Sequence, residues 1–452
     1  MTSASKPALI PVVDLRHDFH RHPELGFCEF RTASRAAGTL TDLGWEVQVG
    51  SAVMDPASRL GLPADNVLEA AWQRASTTGG DDRYLPALRG GLTGVVASLR
   101  GNRPGPTVAL RADMDALPVH ESRAGSHIPA REGFSSTWDG TMHACGHDGH
   151  VAIALALAAE LAEDRDFPGT VRLILQPAEE GGRGAAAMAA AGVADDVDVF
   201  LALHLGMALP LGVVCPHITG LMANSKLRAT FSGVAAHAAM SPEQGRHALL
   251  GAASAALALH TLPHFPGHET RVNVGLLRSG TSSNIIPDHA EMLLETRADD
   301  GSVNEDLEAR ARAVLAGAAS TYGLDLGVEL VGAVTTAAND PRAEALVTAA
   351  ARAEGLGLAP STNRVASDDA TAFMRRVAEQ GGSSCYFALG AGEYGPHHSP
   401  TFDIDDSVLV AAVGLLTRIV RAPATDQPAP PDGALSEPHA SITANPSKET
   451  LS

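Results

Sequence analysis

Apolar and polar positions change period several times along this chain, and the changes outline its elements. Helical spacing fills residues 15–22, closed by Pro23, and returns over 32–44, where Thr32 stands as the expected N-terminal cap. Strict alternation takes over in Trp45-Glu-Val-Gln-Val49, the mark of a half-buried strand. From Ser51 to Gly90 the period fades into sequence rich in Asp, Gly, Pro and Ser, with one helical patch over 67–74. Apolar β-like runs follow at 93–99, 107–112, 170–175, 197–203 and 385–389, and residues 151–161 read as a buried helix. Strands alternating with helices predict an α/β fold, a mixed sheet flanked by helices.

Between 214 and 334 the rhythm differs. Strands are expected at 227–232, 271–277 and 290–296, with an Ala-rich helix over 247–260 and another over 304–322. This order predicts an α+β sandwich inserted into the main domain. The expected organisation is therefore a discontinuous catalytic domain (1–213 and 335–421), carrying an insertion at 51–90, and an inserted lid or dimerisation domain (214–334). The 51–90 insertion reads as a lid or specificity element or as surface decoration. From 422 to 452 the chain is rich in Pro, Ser, Thr and Ala, which predicts a disordered tail.

Composition narrows the function classes. With 452 residues, 45% of them hydrophobic, the chain can bury a large core. A formal charge of −19 without Lys/Arg clusters argues against nucleic acid and anionic membranes as partners. Four scattered cysteines do not make a disulfide framework, and the first residues lack the pattern of a signal peptide. A cytoplasmic enzyme is the expectation.

The chemistry is densest in Thr141-Met-His-Ala-Cys-Gly-His-Asp-Gly-His150. Cys145 and His147 can turn toward one point from the Gly-containing turn, and thiolate and neutral imidazole are good ligands for divalent transition metals. A Cys-His nucleophile pair is a rival reading, and a merely polar helix start is the bland one; a redox Cys-x-x-Cys is excluded because no second Cys is near. The other apolar runs add to the metal reading. One ends in Asp113 and Asp115, another delivers Gln176, Glu179 and Glu180, a third His204, and the last leads to His397 and His398. In α/β sheets such residues line the ligand crevice. Cys145, His147, Glu180, His204 and His398 exceed what one tetrahedral ion needs alongside water, so two ions are expected. Glu180 is assigned as ligand and Glu179 as the general base and acid. Asp115 and Asp148 compete to orient a ligating imidazole.

The motifs D-M-D-A-L-P, H-A-C-G-H-D-G-H, Q-P-A-E-E-G, A-L-H-L-G, F-S-G-x-x-A-H-A, N-I-I-P-D and H-H-S-P-x-F span most of the chain. Together they resemble the dinuclear metallohydrolase family of aminoacylases and glutamate carboxypeptidases, in its hippurate and auxin-conjugate amidohydrolase branch. The resemblance implies that Cys145, His147, Glu180, His204 and His398 bind two ions, with Mn2+ favoured and Zn2+ the alternative. It implies that His237 reaches a partner subunit's site and helps hold the scissile carbonyl there, that Asn284 contacts substrate near the same oxygen, and that Arg297 suits an acidic leaving group. The implied activity is hydrolysis of an N-acyl or N-aroyl amino acid, such as p-aminobenzoyl-glutamate, with indole-acetyl-aspartate or hippurate as alternatives. A homodimer through the inserted domain is implied, and a related second subunit is the other possible partner. A non-catalytic binding protein on the same fold is the rival from another class, but it should have lost Glu179 or a ligand. The second lid arginine used for an α-carboxylate in glutamate carboxypeptidases is absent.

Overall fold

In the computed structural model, which describes residues 11–422, the apolar runs pair into one eight-stranded sheet. Its members are β1 (Glu46–Val49), β2 (Val95–Arg100), β3 (Arg103–Asp113), β4 (Pro168–Gln176), β5 (Val199–Leu205), β6 (Val213–Cys215), β14 (Gly357–Leu358) and β16 (Ser383–Leu389). The other strands are β7 (Ile218–Leu221), β8 (Ala223–Ser232), β9 (Ala236–His237), β10 (Thr270–Ser279), β11 (Ile285–Ile286), β12 (His289–Ala298), β13 (Asp325–Val334) and β15 (Thr362–Ala366). The sheet order is β1-β2-β4-β3-β5-β16-β6-β14. Its middle strands β4, β3, β5 and β16 run parallel, so their carboxyl ends open on one edge.

Buried parallel strands must be apolar on both faces. Accordingly β5 and β16 are buried at every residue. The helix His147–Glu163 is buried on nearly all sides, because its run of Val, Ala, Ile and Leu has no polar face until its end. It starts directly behind Gly146, whose φ of 90° lies in the left-handed region that glycine adopts without a Cβ penalty.

A second, fully antiparallel sheet has the order β10-β12-β8-β13 and its own core. Leu227, Ala229 and Phe231 of β8 pack with Met292 and Leu294 of β12 under the helices Ala248–Leu259 and Gly301–Thr321. Because side chains alternate across a strand, Asn224, Lys226 and Arg228 point to the opposite face. This is the α+β unit expected from the change of rhythm. Residues 213–221 pair with β16 and β15 rather than with this sheet.

Two local expectations change. Thr32 does not cap its helix: the helix runs Phe30–Asp42, and the buried Glu24 carboxylate accepts the free N–H groups of Arg31 (3.0 Å) and Thr32 (2.8 Å). A carboxylate from the preceding turn satisfies donors that a hydroxyl would otherwise take. The 51–90 insertion contains a longer helix, Asp65–Thr77, which buries Leu68, Ala71 and Ala75. The tail expected to be disordered lies outside the described residues, save Ala422. Among the described residues no helix is long and apolar enough to cross a membrane.

Candidate metal centre

Four adjacent strand ends and one turn bring the chemistry together. The turn before the His147–Glu163 helix presents Cys145, and β5 presents His204 within its last residues, so that Cys145 Sγ lies 3.7 Å from His204 Nε2. The loop after β4 adds Glu179 and Glu180, and the loop after β16 adds His397 and His398, with His398 Nε2 3.3 Å from Glu180 Oε1. Donor atoms of Cys145, His147 and His204 lie within 4.8 Å of one another, as do those of Cys145, Glu180 and His398, and those of His147, Glu179 and Glu180. The five residues read from the sequence as ligands thus form overlapping groups. Cys145 belongs to two of them.

Orientation comes from the backbone. His147 Nδ1 bonds the Asp115 carbonyl at 2.8 Å and His204 Nδ1 the Leu205 carbonyl at 2.8 Å, which turns both Nε2 atoms inward. The Asp115 carboxylate accepts from the backbone N–H of Glu179 and of Glu180, each at 3.0 Å. Glu29, fully buried, accepts the Ala178 N–H at 2.8 Å and the Thr93 hydroxyl at 2.7 Å. Ala178 itself has φ 51°, an uncommon conformation that these bonds hold in place.

The donor set fits divalent cations. His147 Nε2 and Glu180 Oε1 are buried without a hydrogen-bond partner. Burial, then Asp368 and Glu180, push the Glu179 carboxyl well above the usual range. Burial, then Glu180, push the Cys145 thiol up as well. A bound cation would favour the thiolate and carboxylate forms that burial disfavours.

Some assignments shift. Asp148 does not orient a ligand: its Oδ2 takes Arg16 Nε at 3.1 Å and His20 Nδ1 at 2.8 Å. Asp115 serves the His147 imidazole through its carbonyl. His150 binds Asp113 Oδ1 at 2.5 Å and accepts the Leu205 N–H at 2.9 Å, so both ring nitrogens are used structurally. His397 approaches Cys145 Sγ at 3.4 Å while its other nitrogen meets Glu393 at 2.8 Å. Arg111, missed from the sequence, sits fully buried among Asp113 (2.5 Å), Asp368 (3.0 Å) and Gln176 (2.8 Å). Its place inside an apolar run, Val-Ala-Leu-Arg-Ala, was the available signal.

A cavity of about 710 Å3 opens over this cluster. Cys145, Glu179, Glu180, His204, His397 and His398 line one wall, and Asn224, Lys226 and Arg297 of the second sheet line the other. Arg297 is forked onto Glu295 (2.9 and 3.0 Å). His237 and Asn284 are not among the lining residues. They stand together elsewhere: β9 pairs with β11, and the Ala238 N–H bonds the Asn284 carbonyl at 3.0 Å.

Comparison with known proteins gives a consistent picture. The model of peptidase family M20/M25/M40 matches residues 109–422. The chain is 46% identical over 408 residues to indole-3-acetyl-aspartic acid hydrolase of Enterobacter agglomerans, covering 89% of this chain and 93% of that protein. It is 43% identical over 409 residues to one of the named subunits of p-aminobenzoyl-glutamate hydrolase of Escherichia coli (strain K12), with the same coverage of 89% and 93%. Among solved structures, the aminobenzoyl-glutamate utilization protein from Klebsiella pneumoniae superposes with a TM-score of 0.78 at 40% identity, over 90% of this chain and 94% of that one.

Proposed function

The chain belongs to peptidase family M20/M25/M40, and we propose that it is a dinuclear metal-dependent amidohydrolase that cleaves N-aroyl or N-arylacetyl amino acids with an acidic leaving group. The observation that carries this reading is the convergence of Cys145, His147, Glu180, His204 and His398 beside a Glu179 carboxyl that borders the cavity. These five residues would hold two divalent ions, Mn2+ in the first instance and Zn2+ as the alternative. Bound there, the ions supply Lewis acidity toward the acyl oxygen and lower the pKa of water.

The protein's own groups do the rest. Glu179 takes the proton of the attacking water and passes it to the departing amino-acid nitrogen. Asn284 and His237, which stand together outside the cavity of their own chain, would both come from a second copy and hold the acyl oxygen as charge develops on it. Arg297, which lines the cavity, would meet the acidic amino-acid half of the substrate. The two relatives are named for amides that join an aromatic acid to aspartate or glutamate. That shared chemistry supports the substrate class; within it we take p-aminobenzoyl-glutamate as the first candidate, with indole-acetyl-aspartate and hippurate as alternatives. The assembly we propose is a homodimer through the second sheet's domain, in the cytoplasm; the Escherichia coli relative is named as one subunit of its hydrolase, which keeps a second type of chain in view.

The test is chelation followed by readdition of Mn2+ or Zn2+, with hydrolysis of these amides followed by release of the free amino acid. Activity lost with the metal and regained on readdition is expected. Activity that survives full metal removal but falls to thiol alkylation would replace this reading with the cysteine-nucleophile one.

A further inference from the structure

Lys226 is the cationic side chain of the cavity wall that the second sheet leaves uncommitted. It lies on β8 two residues beyond Asn224, and the register sets Lys226 opposite Glu295 and Asn224 opposite Arg297. All four therefore share the face turned away from the helices of that domain. Their engagements differ. Arg297 is occupied by Glu295 through two hydrogen bonds. Lys226 makes no hydrogen bond and no ion pair within 4.0 Å among the described residues, although it lines the cavity and is only partly accessible.

Asn224 adds an independent sign. It is 2% exposed, lines the same cavity, and its Oδ1 has no hydrogen-bond partner. A buried amide oxygen left unpaired costs about as much as a lost hydrogen bond, and such groups occur where a ligand completes them. Burial presses the Lys226 ammonium toward its neutral form, opposed chiefly by Glu179 and Glu295. An anion delivered to that spot relieves the penalty.

We propose that Lys226 is the receptor for the α-carboxylate of the substrate's amino-acid half, with Asn224 beside it as a partner for the adjoining polar groups. This assignment rests on the amidohydrolase reading. It follows from position: the α-carboxylate hangs from the carbon attached to the scissile nitrogen, and that nitrogen must lie beside Glu179. Lys226 and Glu179 line the same cavity. A side-chain carboxylate, farther along the amino acid, is left to the Arg297 end. Arg297 is the weaker claimant for the α-carboxylate because Glu295 already neutralises it.

The experiment compares p-aminobenzoyl-glutamate with p-aminobenzoyl-γ-aminobutyrate, which keeps the distal carboxylate and lacks the α-carboxylate. Wild type is expected to favour the first by about a hundredfold in kcat/KM, the size usual for truncating one partner of a buried charge pair. Lys226→Met should lose that preference by losing activity on p-aminobenzoyl-glutamate alone, and Lys226→Arg should keep most of it. Calorimetric binding of p-aminobenzoyl-glutamate to Glu179→Ala protein, with and without Lys226→Met, should show the same loss without turnover. If Lys226→Met lowers both substrates equally, or leaves the preference intact, the assignment is overturned while the amidohydrolase reading stands. If wild type cleaves no N-acyl amino acid, that reading falls and the assignment with it.

Discussion

Asp115 binds the backbone N–H groups of Glu179 and Glu180 with its two carboxylate oxygens, 3.0 Å each, while its carbonyl takes the ring nitrogen of His147 at 2.8 Å. One residue thus fixes the loop of the proposed base and the direction of a proposed ligand. Asp115→Ala keeps the carbonyl and removes only the carboxylate clasp. Hydrogen bonds to a charged group are worth roughly 1.5–3 kcal/mol each. We expect kcat and metal affinity to fall by about 10- to 100-fold, the usual effect of losing a group that supports metal ligands. Steady-state kinetics and a metal-competition titration check this; wild-type values in both would show that the clasp does not set the site.

That clasp was only half legible in the sequence. A strand running into Asp113 and Asp115 announced that these carboxylates reach the crevice, but side-chain direction depends on the loop that follows, and no local pattern encodes it. The same holds for Asp148, which adjoins His147 in sequence yet turns to Arg16 and His20. The parallel strands were readable because burial on both faces makes them uniformly apolar. Boundaries were less so. β8 begins at Ala223, four residues before the expected start at Leu227, because Asn224 and Lys226 look like loop residues until the cavity on their side is seen. The helix Pro341–Glu354 did carry its signals, Asp340 as cap and Pro341 at the first position, and these went unread. The convergence of Cys145, His147, Glu180, His204 and His398 was legible because each follows its own strand or turn to the same edge.

A glycine contact ties the second sheet to the base loop. β13 carries an irregularity between Leu330 and Gly332, and a Cβ on Gly332 would collide with the Gly181 carbonyl oxygen, next to Glu180. The Ala333 N–H bonds the Gly182 carbonyl at 2.8 Å. Gly332→Ala should therefore shift the Glu179–Glu180 loop, costing about 1–3 kcal/mol as overpacking does and about tenfold in kcat. Gly327→Ala on the same strand is the control, because a Cβ there meets nothing within 4 Å. Equal activity and equal Tm for the two variants would contradict the coupling.

Stability should depend on pH through His20. Burial alone would lower its pKa, but hydrogen bonds to Asp148 and Glu121 outweigh burial and raise it from 6.5 to about 9. Between these values the folded protein keeps a proton that the unfolded chain has released, so stability falls as pH rises through that window. The contribution of the charged imidazole is complete below pH 6.5 and gone above about 9. His20→Gln should therefore be most destabilising near pH 6.5, on the order of a few kcal/mol for a buried partnered charge, with a gap to wild type that narrows toward alkaline pH. Denaturant titrations across the window measure the gap. A pH-independent difference would mean that the ring is not held as the cation.

His237 lies outside the cavity of its own chain, in the β9–β11 pair, where its Nδ1 accepts the N–H groups of Ala239 (3.2 Å) and Met240 (3.1 Å). Those bonds occupy Nδ1, and the residue is exposed, with no hydrogen bond from Nε2 among the described residues. If that nitrogen serves a neighbouring subunit's site, two inactive proteins should complement each other. Glu179→Ala should retain metal and lose roughly 100- to 10,000-fold in turnover, the range for removing a general acid-base group. His237→Ala should be similarly impaired. A mixed dimer of the two has one site with both defects and one with neither, because in a two-fold assembly each subunit lends the same residue to the other. Co-refolded equimolar protein should then recover about a quarter of wild-type activity, half the dimers being mixed and each having one intact site. Activity that never exceeds that of the separate variants, although exchange into mixed dimers is demonstrated with a tagged subunit, would place the action of His237 within its own chain or outside the reaction.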